Sequence, residues 1–509
     1  MKAPMPVYLT TPIYYVNDRP HIGHAYTSIA TDVLARWHRL AGREVYFLTG
    51  TDEHGQKVEK AARDAGEDPQ AFTDRVSQAF RDLCGTMGLS NDGFIRTTEP
   101  RHRAACQALW NELARRGEIY LGDYEGWYAV RDEAFYGPDE LTERDGVKYA
   151  PSGAPVEWVR EPSYFFRLSA WSEKLLAYYE ANPDFIQPAS RRNEVLAFVR
   201  GGLSDLSVSR TSFRWGVPVP GDPEHVMYVW LDALTNYITA MGYPDEKAEL
   251  WRFWPADLHM VGKDILRFHA IYWPAFLMAA GLQPPRRVFA HGWWTNEGQK
   301  ISKSVGNVID PLALVEEFGL DPVRYFLLRE VPFGQDGDFS RKALINRLNG
   351  ELADALGNLA NRTLSLIQRN CEGRLPALAP GGDAFLDGVI APLPAATGAR
   401  IEAQQFHLAL EGVFEAVREA NAHITREAPW ALKKTDPARM AAVLRSLHEA
   451  LRVFAILLTP YMPGSMGRLL DQLGVPEDAR DLAALARPMP DGVALPPPAP
   501  LFQKIQNPA

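Results

Sequence analysis

The fold is decided by residues 6–49, PVYLTTPIYYVNDRPHIGHAYTSIATDVLARWHRLAGREVYFLT. The runs at residues 6–11 and 44–49 have the apolar, β-branched and aromatic character of buried strands. Between them, apolar side chains recur at steps of three and four, which predicts a helix that ends at Ala41-Gly42. These side chains are Ile22, Tyr26, Ile29, Val33, Trp37 and Leu40. A strand, a helix and a strand with short connections predict a right-handed crossover into a parallel sheet.

The predicted helix opens on His21-Ile22-Gly23-His24. His21 and His24 lie on the same side of the first turn, beside unpaired backbone N–H groups and the positive end of the helix dipole. Such a helix start is an anion site with two additional donors, and Gly23 lets a nucleotide approach the backbone closely. Taken alone, the motif is also explained by two histidines that only cap a helix.

A second motif, Lys300-Ile301-Ser302-Lys303-Ser304, follows about 280 residues later in a loop rich in glycine and serine. Lys300 and Lys303 could close over a triphosphate and oppose the charge that develops as pyrophosphate leaves. Taken alone, this segment is also explained by a solvated surface loop. The two motifs in this order predict a nucleotide site that both of them share.

The pattern along the chain divides it into five segments. Strand and helix patterns fill 1–119, short strand-like pieces with many aromatics fill 120–225, and the sheet pattern resumes within 226–292. The lysine loop lies in 293–340, and amphipathic helices with an extended tail fill 341–509. The predicted fold is therefore α/β, with a Rossmann-like catalytic domain split by an inserted mixed domain and followed by an α-helical bundle.

In the last segment the sequence predicts three long helices, separated by a loop rich in proline, glycine and alanine at 375–396. The predicted helices span 343–368, 401–427 and 437–458.

Composition sets the broad class. With 509 residues and 46% apolar side chains, the chain can bury large cores in several domains. It has no apolar run long enough for a membrane helix and no signal peptide, so a cytoplasmic protein without membrane contact is expected. A net charge of -9 argues against unspecific wrapping of nucleic acid but leaves room for a local basic strip. The cysteines Cys84, Cys106 and Cys371 are widely separated and predict no disulfide framework.

Together the two motifs resemble those of class I aminoacyl-tRNA synthetases, and over essentially the whole chain the methionyl-tRNA synthetase family is the best match. Residues 14–24 resemble the signature region of that family, and residues 300–304 resemble its KMSKS loop with Ile301 in place of Met. The resemblance implies catalytic roles for His21, His24, Lys300 and Lys303. It implies ATP binding by Tyr14, His21, Gly23, His24, Lys300, Ser302 and Lys303.

The same resemblance implies a methionine pocket in which Asp52 binds the substrate ammonium group. Its further members are Ile13, Tyr15, Trp230, Ala233, Leu234, Tyr237, Ile265 and His269. Aromatic edges and apolar walls suit a flexible thioether. Without the family match, Trp230 and Tyr237 are equally explained by ordinary core packing.

In the helical bundle, the resemblance implies an anticodon site of Asn358, Arg362, Pro429 and Trp430. An unstacked base can lie on the Trp430 ring while polar side chains bind base edges. Arginines and a lysine at 341, 342, 347, 362 and 369 could add a basic strip for phosphates.

The chain departs from the family in its inserted domain. Many relatives hold zinc there in cysteine knuckles, but Ala129 and Asp132 stand where the first cysteine pair would be, and Tyr149 to Ser152 offer no cysteine or histidine. We therefore predict no structural zinc and no protein metal site. The optional C-terminal dimerising domain of the family is also missing, which favours a monomer.

The resemblance implies that ATP, as its Mg²⁺ complex, and L-methionine form methionyl-adenylate, and that methionine tRNA, elongator and initiator, then accepts the methionyl group. One alternative is another class I synthetase, although the chain has no room for a long editing insertion. The other is a small-molecule adenylyltransferase, which shares the HxGH helix start but gives no reason for the lysine loop or for Trp430.

Overall fold

A computed structural model describes residues 5–16, 19–301, 306–381 and 383–506. The amino-terminal part of the chain alternates strands with helices. In chain order these are β1 (Val7–Thr10), β2 (Tyr14–Tyr15), α1 (Ile22–Leu40), β3 (Val45–Asp52), α2 (Gln56–Asp64), α3 (Pro69–Thr86), β4 (Gly93–Arg96) and α4 (Pro100–Arg115). The predicted first helix is confirmed, because α1 ends at Leu40 and its predicted apolar face, apart from the half-buried Leu40, is at most 2% exposed.

The next part of the chain is mostly antiparallel. Its elements are β5 (Ile119–Ala129), β6 (Ala134–Tyr136), β7 (Thr142–Arg144), β8 (Val147–Tyr149), β9 (Glu157–Phe166), α5 (Ser172–Ala181), β10 (Ile186–Gln187), α6 (Ala189–Arg200), β11 (Leu206–Ser207), β12 (Ser209–Arg210), β13 (Pro218–Val219) and β14 (Asp222–Met227). Short 3₁₀ turns lie at Pro138–Glu140 and Leu168–Trp171.

Strands and helices of the catalytic fold then return. They are α7 (Val229–Thr239), β15 (Leu258–Gly262), α8 (Trp273–Ala279), β16 (Val288–His291), β17 (Trp294–Asn296), β18 (Gln299–Lys300), α9 (Pro311–Phe318), α10 (Leu320–Arg329) and β19 (Gly337–Phe339). Turns of 3₁₀ helix lie at Glu249–Phe253 and Lys263–Ile265, and a π-helical turn, Phe268–Tyr272, leads into α8.

The remainder of the chain is helical. It contains α11 (Arg341–Arg347), a π-helical stretch (Leu348–Gly357), α12 (Asn358–Asn370), a π-helical turn (Leu386–Ile390), α13 (Leu393–Glu402), α14 (Phe406–Glu427), α15 (Pro429–Thr435), α16 (Pro437–Leu458), α17 (Pro463–Gln472) and 3₁₀ turns at Glu477–Ala479 and Ala483–Ala486.

Among the described residues, the main sheet has seven strands, all parallel to their neighbours, in the order β10-β16-β15-β1-β3, with β2 and β4 both paired to β3. The register places Val7 opposite Val45 and Leu9 opposite Leu258. The predicted parallel sheet is therefore confirmed. Because all strands run the same way, the carboxyl ends of β1, β3, β15 and β16 meet at one edge, where ligands bind in open α/β sheets.

One strand of this sheet comes from an unexpected place. β10 pairs with β16 through Ile186 and Val288, yet it lies inside the range 120–225 that the sequence assigned to the inserted domain. The catalytic sheet therefore resumes earlier in the chain than the pattern at Leu258 indicated. A strand of two residues is too short to show a periodic pattern.

Within the insertion, β5 and β9 form a long antiparallel ribbon of 11 and 10 residues. The prediction of short strand-like pieces is wrong for these two strands, whereas the other strands of the insertion have two to six residues. Gly126 and Pro162 interrupt the sequence pattern, but the strands continue through both positions. The ring of Tyr124 fills the space beside Gly126, with its hydroxyl oxygen 2.1 Å from where a Cβ would stand.

The bundle differs from the prediction at two points. The helix predicted over 401–427 is broken between α13 and α14, where Gln404 takes a φ of 56° and its side chain accepts a hydrogen bond of 2.9 Å from Arg287. The loop predicted over 375–396 contains the turn Leu386–Ile390 and the start of α13. Phe385 explains this, because it is buried and stacks on His423 at 4.3 Å.

The bundle and the catalytic fold share one continuous core. It contains residues of β1, α1 and β15 together with residues of α10, α12, α14 and α16. Within the described part of the chain, no helix combines the length and apolar character needed to cross a membrane.

Candidate active site

A cavity of about 800 Å³ opens at the carboxyl edge of the sheet. It lies between the start of α1, the end of β3, the helix α7 and the segments that follow β15 and β16. Its lining includes every predicted ATP and methionine residue that the structure describes, namely Ile13, Tyr14, Tyr15, His21, Gly23, His24, Asp52, Trp230, Ala233, Leu234, Tyr237, Ile265, His269 and Lys300. Ser302 and Lys303 lie outside the described residues.

The two histidines of the first motif cap α1 reciprocally. His21 Nδ1 accepts a hydrogen bond of 3.0 Å from the Gly23 N–H, and His24 Nδ1 accepts one of 3.0 Å from the His21 N–H. Burial lowers the pKa of both rings, most strongly that of His24, whose pKa the neighbouring His21 lowers further. Both rings are therefore neutral at pH 7, and because each Nδ1 is an acceptor, the proton is on Nε2.

Gly23 has a local role in addition to the one predicted. A Cβ at this position would stand 2.9 Å from His21 Cε1. The missing side chain therefore makes room for the His21 ring as it folds back onto the helix start, rather than only for an incoming nucleotide.

The lysine loop starts on the same side of the cavity. Lys300 ends β18, is exposed, and places its Nζ 5.9 Å from the centre of the Trp293 ring. Lys263 Nζ lies 4.3 Å from the same ring, and Trp293 Nε1 donates to Asp264 Oδ1 at 3.1 Å. A tryptophan between two ammonium groups and a carboxylate thus forms part of the cavity mouth.

The apolar end of the cavity is built on α7. Trp230 stacks on Phe268 with ring centres 3.8 Å apart and planes within 7°. Tyr237 Oη and His269 Nε2 lie 2.7 Å apart, and His269 Nδ1 lies 2.9 Å from the Ile265 carbonyl oxygen. His269 therefore donates from Nδ1 and accepts from Tyr237 at Nε2, and burial lowers its pKa to about 4.

Asp52 ends β3 at the floor of the cavity and is 5% exposed. Its Oδ1 is buried and has no hydrogen-bond partner among the described residues. Burial raises the pKa of Asp52 well above its usual value, and the nearby carboxylates of Asp232 and Glu133 raise it further. A cation next to Asp52 would donate a hydrogen bond to Oδ1 and would balance the negative charge of the carboxylate.

Behind Asp52, Asp232 is fully buried between two histidines. Its carboxylate lies 2.6 Å from His54 Nδ1 and 2.7 Å from His102 Nε2, and Cys106 Sγ lies 3.2 Å from His102 Nε2. His102, Cys106 and Asp232 are the one group of the described residues with the composition of a metal site. Their atoms are already paired with one another at hydrogen-bond distance, so the group does not fit a metal ion.

The knuckle of the inserted domain is closed by hydrogen bonds. The Asp132 carboxylate accepts from the Tyr136 hydroxyl at 2.9 Å and from the Ser152 hydroxyl. Ala129 and Ala150 pack in a small apolar cluster beside them. These residues do not fit a zinc site of thiolates and imidazoles. The absence of structural zinc stays a prediction.

In the bundle, the structure brings Arg362 and Trp430 together. The Arg362 guanidinium lies 5.5 Å from the Trp430 ring centre, and Trp430 is 48% exposed. They line a hollow with Asn361, Ser365, Leu366 and Arg369. Asn358 is exposed one turn earlier on α12 and does not line this hollow, and Pro429 is buried at the start of α15.

The predicted basic strip is only partly available to a ligand. Arg347 pairs with Glu330 at 2.8 Å and with Glu351 at 3.0 Å, and Arg341 pairs with Glu317. Acidic partners from α9, from the residue that follows α10 and from the π-helical stretch thus pair with two of the five basic residues. The sequence pattern of one helix could not reveal these partners.

Sequence reasoning missed several cavity residues. They are Lys57, Arg131, Asp132, Glu133, Asn236, Asp264, His291, Trp293 and Trp294. Trp293 lies in the segment 293–340, which also contains the lysine loop. Asp264 directly precedes the predicted residue Ile265, so its position was a usable signal. Glu133 gave none, because it lies 118 residues from its partner Tyr15 and within the insertion.

A parallel nucleotide-binding sheet that joins an HxGH helix start, a lysine loop and a helical anticodon-type bundle defines a class I aminoacyl-tRNA synthetase. Residues 7–364 match the family described as tRNA synthetases class I (M), and residues 395–509 match the anticodon binding domain of methionyl tRNA ligase. The chain belongs to the methionyl-tRNA synthetase family.

Similar proteins cover nearly the full chain. The methionine–tRNA ligase of Mesorhizobium japonicum is 57% identical over 98% of this chain and 97% of its own length. That of Rickettsia bellii is 59% identical over 93% of each chain. The structure of Mycobacterium tuberculosis methionyl-tRNA synthetase in complex with methionyl-adenylate superimposes with a TM-score of 0.96 and 51% identity, covering 98% of this chain and all of that one.

Proposed function

We propose that this chain activates L-methionine with ATP to form methionyl-adenylate, and then transfers the methionyl group to the 3′ end of methionine tRNA. The observation that carries the proposal is the joint cavity, which His21, His24 and Lys300 line together with Asp52, Trp230 and Tyr237. A relative of 51% identity has been solved in complex with methionyl-adenylate, which supports a cavity of this shape for that intermediate.

Methionine recognition follows from the lining of the inner end. The unpartnered Asp52 Oδ1 binds the substrate ammonium group, which replaces the proton that the raised pKa would otherwise retain. The thioether lies against Trp230, Tyr237 and His269, aromatic surfaces that suit polarizable sulfur. Ile13, Ala233, Leu234 and Ile265 close the apolar walls, and Tyr15 covers the entrance.

Adenylate formation needs no side-chain nucleophile. A carboxylate oxygen of methionine attacks the α-phosphorus of ATP, the bond from that phosphorus to the bridging oxygen breaks, and pyrophosphate leaves. The Nε2–H groups of His21 and His24 donate to phosphate oxygens without adding charge of their own. Lys300 and Lys303 supply the positive charge as pyrophosphate departs.

In this proposal Tyr14, Gly23 and Ser302 complete the ATP site, and ATP reacts as its Mg²⁺ complex. Mg²⁺ supplies further neutralisation of phosphate charge when bound. In the second step, a terminal ribose hydroxyl of the tRNA attacks the carbonyl carbon of methionyl-adenylate and loses its proton to solvent, and AMP leaves with the electron pair of the mixed anhydride bond.

We assign tRNA recognition to the bundle. The exposed Trp430 ring offers a stacking surface for an anticodon base, and Arg362 beside it offers donors to the base edge. Asn358 and Pro429 flank this surface. Both elongator and initiator methionine tRNA carry the anticodon such a site would read. The chain is proposed to act as a cytoplasmic monomer.

The proposed domain division keeps the segments 1–119, 120–225, 226–292, 293–340 and 341–509. In this division β10 is the part of the second segment that belongs to the catalytic sheet.

Exchange of labelled pyrophosphate into ATP, assayed with each of the twenty amino acids in turn, tests the proposal. We expect exchange with methionine alone. Exchange that depends on another amino acid would assign the chain to a different class I synthetase activity, and exchange without any amino acid would indicate an adenylyltransferase.

A further inference from the structure

The hairpin turn between β5 and β6 reaches from the inserted domain into the catalytic cavity. Arg131, Asp132 and Glu133 of this turn all line the cavity, although they follow the catalytic strand β3 by about 80 residues. Arg131 is exposed, whereas Glu133 is only 6% exposed. A carboxylate from the insertion is therefore buried against the amino-acid site.

Glu133 joins three elements at this place. Its Oε1 accepts a hydrogen bond of 2.5 Å from the Tyr15 hydroxyl, at the end of β2, and one of 3.2 Å from the Lys57 backbone N–H, in the first turn of α2. Tyr15 is the residue whose ring covers the entrance to the methionine pocket in the proposed function. Glu133 thus links the insertion directly to the hydroxyl group of that ring.

The surroundings are shaped to hold this contact. Glu133 has a φ of 49°, a left-handed conformation that is unusual for a residue other than glycine. At Gly55, a Cβ would stand 2.6 Å from Glu133 Oε1 and 2.8 Å from the Tyr15 hydroxyl oxygen. Burial raises the pKa of Glu133 to about 7. A left-handed backbone conformation and the burial of a carboxylate are both energetically unfavourable, and a turn exposed to solvent needs neither. Such features are concentrated at functional sites.

We propose that Glu133 is a positioning residue for the methionine site, which holds the Tyr15 ring over the pocket through its hydrogen bond to the Tyr15 hydroxyl. The proposal rests on the proposed function, because it assigns a role to the insertion in methionine binding. When the hydrogen bond between Tyr15 and Glu133 is present, the Tyr15 ring is already in its binding position before methionine binds. When that hydrogen bond is absent, part of the binding free energy of methionine is used to order the Tyr15 ring.

The test is a double-mutant cycle in methionine-dependent pyrophosphate exchange, with the KM for methionine and for ATP measured separately. Glu133→Ala should raise the KM for methionine about tenfold and change the KM for ATP less than about twofold. Tyr15→Phe should raise the KM for methionine to a similar extent. The double variant should be within about twofold of either single variant, because both changes remove the same bond. Glu133→Gln keeps an oxygen acceptor and should stay near wild type.

Additive effects in the double variant would overturn the proposal, as would an equal rise in both KM values or an unchanged KM for methionine in Glu133→Ala. If Glu133→Ala does not fold, Tyr15→Phe decides, because it removes only a hydroxyl group and must still raise the KM for methionine. Wild-type protein without methionine-dependent exchange would contradict the proposed function instead, so the two failures are distinct.

Discussion

Asp32 on α1 and Arg324 on α10 form an ion pair of 2.6 Å with both side chains fully buried. The same guanidinium donates to the backbone carbonyls of Met87, Pro460 and Tyr461. The helix that begins at the two histidines is thereby joined to the helical bundle. This charge pair lies about ten residues beyond the two histidines on the same helix.

Replacing Arg324 by Met should destabilise the fold by about 3 to 5 kcal/mol, because it leaves the Asp32 carboxylate buried without its main countercharge. Arg36 is the matched control. It binds the same Asp32 oxygen at 2.7 Å but its side chain is 26% exposed, so Arg36→Met should cost less than about 1 kcal/mol. Urea unfolding of both variants measures the difference in the free energy of unfolding. An equal decrease in the two variants would show that the larger effect of Arg324 does not come from burial of the ion pair.

His24→Ala and Lys303→Ala should each slow methionine-dependent exchange by more than about 100-fold, or about 2.7 kcal/mol of transition-state stabilisation. His24 supplies a neutral donor and Lys303 a charge, so both changes should act on kcat. His38→Gln, near the opposite end of α1, is the control and should keep the wild-type rate. Wild-type exchange in either test variant would remove that residue from the mechanism.

Asp52→Asn should raise the KM for methionine more than about tenfold and leave the KM for ATP nearly unchanged, since the amide keeps the shape of the carboxylate but not the charge that pairs with an ammonium group. Steady-state exchange kinetics with each substrate varied in turn provide the measurement. An unchanged KM and kcat for methionine would refute the assigned role.

Trp430→Ala should leave exchange intact and reduce aminoacylation of tRNA by about 5- to 150-fold, the range expected from loss of about 1 to 3 kcal/mol of base stacking. Trp430→Phe keeps an aromatic face and should recover most of the activity. Loss of exchange and aminoacylation to the same extent would instead make Trp430 a structural residue.

The buried His269 should make stability depend on pH. Its pKa is about 4 in the folded protein and about 6.5 in an unfolded chain, so between these values the unfolded state binds more protons. Above about pH 6.5, the titration of His269 does not lower the free energy of unfolding. As the pH is lowered from there toward 4, it lowers the free energy of unfolding by up to about 1.4 kcal/mol per pH unit.

His269→Gln removes this titration and should have a shallower loss of unfolding free energy between about pH 7 and about pH 5, by urea unfolding at several pH values. The Gln side chain can still accept from Tyr237, so the comparison concerns the slope and not the absolute stability. Identical slopes in the two proteins would show that His269 titrates normally in the folded state.

Much of the site could be predicted because its residues lie in short segments with a strong local pattern. The periodicity of Ile22 to Leu40 specified α1, and the motif at its start indicated an anion site before any contact was known. Trp230 and Tyr237, which the family resemblance assigned to the methionine pocket, are seven residues apart on α7, and the structure places both in the cavity. Local spacing is sufficient here because a helix converts sequence distance directly into a common face.

The bundle was predicted less well, because contacts between distant segments decide its details. Gln404 breaks a helix that its neighbours favour, because its side chain is bonded to Arg287 of the catalytic part. Arg347 has the charge of a phosphate ligand but is paired with Glu330 and Glu351. Contacts between distant segments decide both outcomes, and periodicity within one segment does not contain them.

The sequence by itself determined the parallel sheet, the first helix, the family and part of the cavity lining, since these depend on side-chain type and short-range spacing. Only the tertiary structure decided that both histidines are neutral donors and that Glu133 from the insertion contacts Tyr15. It also decided that one Asp52 oxygen has no hydrogen-bond partner among the described residues. Protonation and pairing depend on burial and on neighbours far away in sequence, and folding alone brings those neighbours together.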